Sequence, residues 1–359
     1  MNYKILSRKY RPKCFKEIVG QKYILKSIFN SFKLKKIHHS WILYGDSGVG
    51  KTTISRLLAK SLSCEKGIRY FSCLKCRNCI EILNGNFIDL IEIDAASKTK
   101  VEEIKEILEN AKYLPVKGRF KIYIIDEIHM LSKHSFNALL KILEETPKHI
   151  KFILATTNIK KIPETIVSRC MCFTLNKINE NQAYKCLKKI LKKEKIGIEK
   201  SAIKTICEEA QGNIRSSLNI AEQSILLDKK KITEKNIISI LGKIDQKKIF
   251  LITKYLIKKK IKKVFEILNE INISNYQCKI IFNNILKLLH HFAILKKFGF
   301  PIEKETYMKK YNNKIMKIIK KIEFSKIQKY YNIIIKGKIE MKDSPSQKIC
   351  LEMTLLKIM

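Results

Sequence analysis

The spacing of apolar residues changes character twice along this chain. From about residue 40 to 175, short β-type runs alternate with helical patterns, as in a parallel sheet covered by helices. The strand candidates are Trp41–Tyr44, Leu90–Ile93, Lys121–Ile125, Phe152–Ala155 and Cys172–Thr174. Each ends where a polar motif begins, and open α/β sheets bind their ligands beyond the carboxyl ends of their strands. From about 179 to 242 the period is helical alone, with apolar residues three and four apart in AYKCLKKILKKE and NIRSSLNIAEQSILL. Beyond Gly242 it stays helical and the lysines thicken; stripes such as IIFNNILKLLHHFAIL read as helix-packing faces. The expected architecture is an α/β core over 1–178, a small helical domain over 179–242 and an all-α domain over 243–359.

Composition narrows the class. A chain of 359 residues exceeds what one hydrophobic core serves, so several domains fit, and 45% hydrophobic residues can fill them. The 73 Lys+Arg against 33 Asp+Glu leave a formal +40, which repels itself unless polyanions or acidic partners are near. Nucleic acid is the first candidate. Lys, Ile and Asn crowd the whole chain, however, as an AT-rich genome would make them, so charge alone decides little. The basic start MNYKILSRKY has no apolar stretch long enough for a signal peptide, and polar residues interrupt every later run before membrane-spanning length. A cytoplasmic protein with no membrane partner is expected. Its eleven cysteines would then stay reduced, and a cluster among them suggests metal.

The chemistry sits in the core. Gly45, Asp46, Ser47, Gly48, Val49, Gly50, Lys51 and Thr52 spell GDSGVGKT between the first strand and the helix TTISRLLAKSL, the setting a phosphate-binding P-loop requires. The glycines let backbone N–H groups turn around the phosphates of ATP, Lys51 reaches the β- and γ-phosphates, and Thr52 holds Mg²⁺. IYIIDE adds Asp126 for the Mg²⁺ shell and Glu127 to orient or deprotonate the attacking water. The next strand ends in ATT, which leaves Thr157 either positioning water near the γ-phosphate or serving as a turn residue. Cys64, Cys73, Cys76 and Cys79 have the spacing C-x8-C-x2-C-x2-C, suited to one tetrahedral Zn²⁺. Four sulfurs leave no open position, so that zinc would be structural. The adjacent pairs His38–His39 and His290–His291 read as structural, each pointing to different faces of a helix, and nothing in the spacing of His129 requires chemistry. In DAASKTKVEEI, Lys98, Thr99 and Lys100 either meet DNA phosphate at a helix N-terminus or lie on a solvated surface helix.

The order GDSGVGKT, the four-cysteine insert, LIEIDAASKTKVEEI, IYIIDEIHMLSKHSFNALLKILEETP, ILATT and SRC resembles the gamma/tau family of bacterial clamp-loader ATPases of DNA polymerase III, in its short, gamma-like form. The resemblance runs from SRKYRP to about residue 242 and is weaker in the tail. It implies an AAA+ ATPase core, a helical lid and a collar domain that joins a five-membered ring. Copies of the chain would assemble there with delta and delta-prime subunits to place the beta sliding clamp on primer-template DNA. By motif position, Arg169 of Ser168-Arg169-Cys170 would be the arginine finger entering a neighbour's ATP site. Arg215 of GNIR would touch the γ-phosphate from the lid of its own subunit, although Asn213-Ile214 departs from the family's Ser-Leu. Arg11, Pro12, Val19 and Gly20 match the segment that closes over adenine. The family's long form continues into regions that bind the replicative helicase and the polymerase; the sequence stops at Met359, which makes coupling to those two doubtful.

Two other readings share some of these features. A ring helicase or branch-migration motor has a P-loop and a trans arginine, but not the cysteine insert. A purely structural ring subunit of the delta-prime kind keeps the cysteines and SRC, but intact Gly50-Lys51-Thr52 argues for turnover.

Overall fold

The five apolar runs pair into one parallel sheet. In a computed structural model describing residues 5–97, 109–228, 231–242, 246–271, 275–299, 322–341 and 343–358, they are β1 (Ser40–Tyr44), β2 (Leu90–Asp94), β3 (Lys121–Asp126), β4 (Ile150–Thr156) and β5 (Met171–Thr174). Their order is β2-β3-β4-β1-β5, every pairing parallel. Each predicted strand is present, longer by one to three residues. The additions include Asp94, which pairs with Asp126, and Thr156, which pairs with Tyr44. Such polar ends carry the backbone ladder but break the apolar run by which a strand is recognised in sequence.

Burial on both faces explains why the strands read as unbroken apolar runs. Ile42, Tyr123, Ile125, Phe152 and Leu154 join one core cluster; Trp41, Leu43, Ile122, Ile124 and Ile153 join the other. The alternation is that of side chains pointing to opposite faces of a pleat. A short α1 (Leu6–Lys9) comes first. Then α2 (Lys22–Lys33) and α3 (Lys51–Ser63) bring Ile28, Phe32, Ile54, Leu58 and Leu62 onto the second cluster. Next, α4 (Arg77–Asn84) belongs to the cysteine insert, while α5 (Lys133–Glu144) and α6 (Glu164–Val167) cover the first cluster with Phe136, Leu139, Leu143 and Ile166. The central β4 is buried along its whole length.

Three helices follow: α7 (Glu180–Lys193), α8 (Lys200–Ala210) and α9 (Ile214–Leu227). They pack through Ala183, Leu187, Ile203, Ile206, Leu218 and Ala221, and Gly197–Ile198 pairs with Lys231–Ile232 beside them. The N-terminal segment fastens to this layer. Leu6 N donates to Glu222 Oε1 (3.2 Å), and Lys9 and Tyr10 both reach Glu194. Together these parts form a compact unit, Met1–Ile237. The helix α10 (Glu234–Ile240) crosses its end.

The second unit, Ile238–Met359, is helical in its described residues: α11 (Gln246–Ile257), α12 (Ile261–Glu270), α13 (Asn275–Phe298), α14 (Phe324–Glu340) and α15 (Gln347–Leu356). Contrary to the sequence expectation, Gln277–Phe298 is long and apolar enough to cross a membrane by length and composition. Its Ile281, Phe282, Ile285, Leu289 and Phe292 instead form the middle of this unit's core with Ile252, Ile334 and Leu351. Gly337 marks where α14 meets α15, because a Cβ there would overlap the Thr354 side chain.

That contact reverses the sign of an ordinary helix substitution. Replacing a mid-helix glycine with alanine normally stabilises by roughly 0.5–1 kcal/mol. Gly337→Ala should instead destabilise the helical unit by about 1–3 kcal/mol through overpacking. Denaturant unfolding followed by circular dichroism checks it, and the loss should shrink in a Thr354→Ala background.

Candidate nucleotide and metal sites

The carboxyl ends of β1 and β3 bring the two halves of the nucleotide motif together. After Tyr44 the chain turns at Gly45, where an added Cβ would strike the Leu175 carbonyl, and Gly45 N donates to Thr156 O (3.2 Å). Gly48 (φ +76°) and Gly50 (φ +107°) have left-handed backbone that side chains resist. Helix α3 begins at Lys51, so the loop ends on a helix N-terminus, a favourable place for phosphate. Lys51 is almost wholly buried, and its Nζ donates to the carbonyls of Gly45 (2.8 Å) and Asp46 (3.1 Å). Burial lowers its pKa from the ordinary lysine value, while Glu127, Asp126 and Asp46 pull it back.

The hydroxyl of Thr52 donates to Asp126 Oδ2 at 2.6 Å, across 74 residues of sequence. Hydroxyl and carboxylate are hard oxygen donors at one point, the donor set Mg²⁺ prefers, and both adjoin the phosphate loop. Glu127 follows in left-handed backbone (φ +49°), a conformation of some cost that turns its carboxylate away from the strand direction. Its Oε2 accepts from Thr157 N (3.1 Å) and Thr157 Oγ1 (3.0 Å). The structure thus brings Thr157 directly to the acid that spacing alone suggested. His129 was not expected to take part, yet its Nδ1 lies 3.3 Å from Glu127 Oε2 and 3.1 Å from Thr156 Oγ1. The signal in sequence was slight: a histidine two residues past an acid, in what proves to be a tight turn.

Arginines gather beside this mouth. Arg11 has its pKa lowered first by burial and then by Arg56, with Glu92 opposing and Arg215 and Arg8 adding to the effect. Arg56 is occupied by Glu92 in a two-point contact (2.7 and 2.5 Å). Arg215 is exposed on the first turn of α9. Pro12 and Val19 are half-buried. Gly20 (φ +77°) lies against Ile178 and Gln182, and Gln21 exchanges two hydrogen bonds with the backbone of Asn176. The segment matched to adenine therefore meets the chain that links β5 to α7.

Arg169 is placed elsewhere. Its carbonyl accepts from Ser40 Oγ (2.8 Å) at the start of β1, whereas the P-loop follows the end of β1. About four strand residues, roughly 13 Å, separate the two levels. Its guanidinium donates to Thr165 O (2.8 Å) and to Glu144 Oε1 (2.9 Å). Lys98, Thr99 and Lys100 lie outside the described residues. His38 and His39 differ from expectation: they precede β1 outside any helix, and their rings stack with centroids 4.4 Å apart.

A second site closes the far end of α3. Cys64 directly follows the helix, Cys76 caps α4 by accepting from Cys79 N (3.4 Å), and Cys73 Sγ accepts from Cys76 N (3.3 Å). All four sulfurs lie within 4.8 Å of one another. Zinc bound at about 2.3 Å sets sulfurs about 3.8 Å apart, so the cluster fits with small adjustment. The backbone N–H of Lys75 leads the groups that hold the Cys73 thiol down, to about 6, while burial pushes Cys79 up. Arg119 braces the insert through the carbonyls of Cys64 and Glu65.

Comparison with known proteins agrees with this geometry. Residues 20–179 match the family described as DNA polymerase III, delta subunit. Residues 182–229 match the DNA polymerase III clamp loader subunit ATPase lid domain, and 232–359 match domain III of DNA polymerase III subunits gamma and tau. The chain is 50% identical to DNA polymerase III subunit gamma of Buchnera aphidicola subsp. Schizaphis graminum, covering 99% of this chain and 98% of that one. The corresponding protein of Buchnera aphidicola subsp. Baizongia pistaciae is 46% identical, with 100% and 97% covered. Escherichia coli DNA polymerase III subunit tau is 39% identical over 99% of this chain but 55% of its own length. The chain belongs to the gamma/tau family of DNA polymerase III, the AAA+ ATPases of the bacterial clamp loader.

Proposed function

We propose that this subunit hydrolyses ATP at an interface between neighbouring clamp-loader subunits and that the cycle opens the beta sliding clamp and leaves it on primed DNA. The observation that carries the reading is the Thr52–Asp126 contact, with Lys51 and Glu127 at the same mouth. The amides of residues 45–52 and the α3 N-terminus bind the triphosphate, and Lys51 neutralises its outer oxygens. Thr52 and Asp126 would hold Mg²⁺, which when bound would supply positive charge to the triphosphate. Glu127, held by Thr157, aligns water for in-line attack, and Arg215 faces the γ-phosphate from α9. Arg11, Pro12, Val19 and Gly20 enclose the adenine end.

Arg169 serves the next subunit. Its level at the opposite end of β1 keeps it from its own triphosphate, and its pair with Glu144 is exposed enough to exchange. Such surface pairs are worth about 0–1 kcal/mol, far less than a guanidinium gains beside transferring phosphoryl oxygens. Residues 1–178, 179–242 and 243–359 act as ATPase core, lid and collar. The collar joins the five-membered ring with delta and delta-prime, and the four cysteines hold a structural zinc. The complex works in the cytoplasm, on primer-template DNA. Lys98, Thr99 and Lys100 meet the DNA backbone.

Three outcomes test this. The purified chain, mixed with clamp, delta and delta-prime, should hydrolyse ATP faster when primer-template DNA is added. Lys51→Ala should lower that turnover by roughly a hundredfold or more, as loss of a preorganised charge-stabilising donor does; turnover equal to the parent would remove the P-loop assignment.

Arg169→Ala should bind ATP normally yet lose roughly 10³-fold in DNA-stimulated turnover. Rings mixed from Arg169→Ala and Lys51→Ala chains should regain part of it, since an intact site then meets an intact guanidinium. A mixture as inactive as either variant would exclude action in trans.

Metal analysis of protein purified without chelator should find about one zinc per chain. Cys79→Ser should lower that content while ATP binding persists. Protein without metal would rule out the zinc site.

A further inference from the structure

Asn213 holds two elements at once. Its Oδ1 accepts from Ser216 N at 3.1 Å and so caps α9. Its Nδ2 donates to the carbonyl of Ser47, inside the P-loop, at 2.9 Å and 166 residues away in sequence. An asparagine amide is one rigid plane, so fixing the oxygen in the cap also fixes where the nitrogen points. The approach is close, since a Cβ on Gly48 would overlap the Asn213 amide. The residue before it is fixed as well: Ile178 N donates to Gly212 O (3.3 Å), and a Cβ on Gly212 would strike the Ile178 backbone. The first turn of α9 is thus anchored twice, by backbone to the linker and by one side chain to the phosphate loop.

Two consequences follow from peptide geometry. In a trans peptide the C=O and the next N–H point in opposite directions. Holding the Ser47 carbonyl toward α9 therefore turns Gly48 N–H to the other side of the loop. Arg215 lies two residues beyond Asn213, so the same bond sets where the guanidinium starts its reach.

We propose that Asn213 is a positioning residue: it ties the lid to the P-loop, so that the shape of the phosphate loop and the placement of Arg215 change together. This rests on the ATPase reading of the site. A serine at 213 would cap the helix equally well. Its hydroxyl lies on Cβ and is used by the cap, so it cannot also reach Ser47. The tie is a property of this chain's asparagine.

Asn213→Ser separates cap from tie, and Asn213→Ala removes both. The test compares them with Arg215→Ala and the double variant Asn213→Ser/Arg215→Ala, in the full assembly with delta, delta-prime, clamp and primer-template DNA. Thermal midpoint, KM for ATP and kcat are read for each. Asn213→Ser should lower the thermal midpoint by no more than one lost hydrogen bond does, and less than Asn213→Ala, while its kcat/KM falls about threefold to tenfold, the range of one hydrogen bond. In the Arg215→Ala background the same change should cost less, because the part of its effect that passes through the guanidinium is then already lost and only the part that passes through the loop remains. Asn213→Ala should lose stability in addition. Unchanged kcat/KM in Asn213→Ser, or losses that simply add to those of Arg215→Ala, would overturn the tie. A parent complex without ATPase activity would instead bring down the functional reading on which it rests.

Discussion

A parallel sheet buried on both faces leaves only its two ends for chemistry. Covering helices occupy the faces, and the interior excludes water from Phe152, Ile153 and Leu154 alike. All strands run the same way, so their carboxyl ends emerge together, and whatever those turns carry is collected along one rim. Thr52 meets Asp126 at 2.6 Å because β1 and β3 flank β4 in one register, not because the residues are near in sequence. Glu127 finds Thr157 for the same reason, past the ends of the neighbouring β3 and β4. The strained backbone of Glu127 is sustained by this scaffold: Ile125 and Ile128 on either side of the acid pair are buried in the same core cluster.

Cation density around the mouth follows the same logic. Arg56, Arg215 and Arg8 each act on Arg11, and Glu92 answers Arg56. Like charges held together raise one another's energy, and an anion with several charges relieves them all at once. The overall surplus of lysine says little about function, whereas this local grouping of arginines is specific.

Much of this was legible in sequence, for definite reasons. A strand buried on both faces writes itself as an apolar run, as β1, β3 and β4 do, and the five strand ends were visible to within a residue or two. The phosphate loop and the cysteine insert depend on close spacing, which sequence displays directly. What stayed hidden was produced by long-range placement. No spacing rule brings His129 to Glu127 or Asn213 to Ser47, and none sets Gly337 against Thr354. Asn213 looked like a mild departure from a family pattern, although its side chain spans the lid and the phosphate loop. Strand ends were missed where a polar residue such as Asp94 or Thr156 keeps its backbone pairing after the apolar run has stopped.

The trans role proposed for Arg169 would give the molecule a direction. Arg169 lies at the level where β1 begins, and the phosphate cradle lies where β1 ends. An object with a plug on one side and a socket on the other joins its copies head to tail, never by a two-fold face. Any row built that way that fails to close leaves one plug idle and one socket unserved. The number of complete sites is then fixed by what stands at the two ends of the row, and a subunit that contributes only a plug, or only a socket, can occupy an end without cost to the rest.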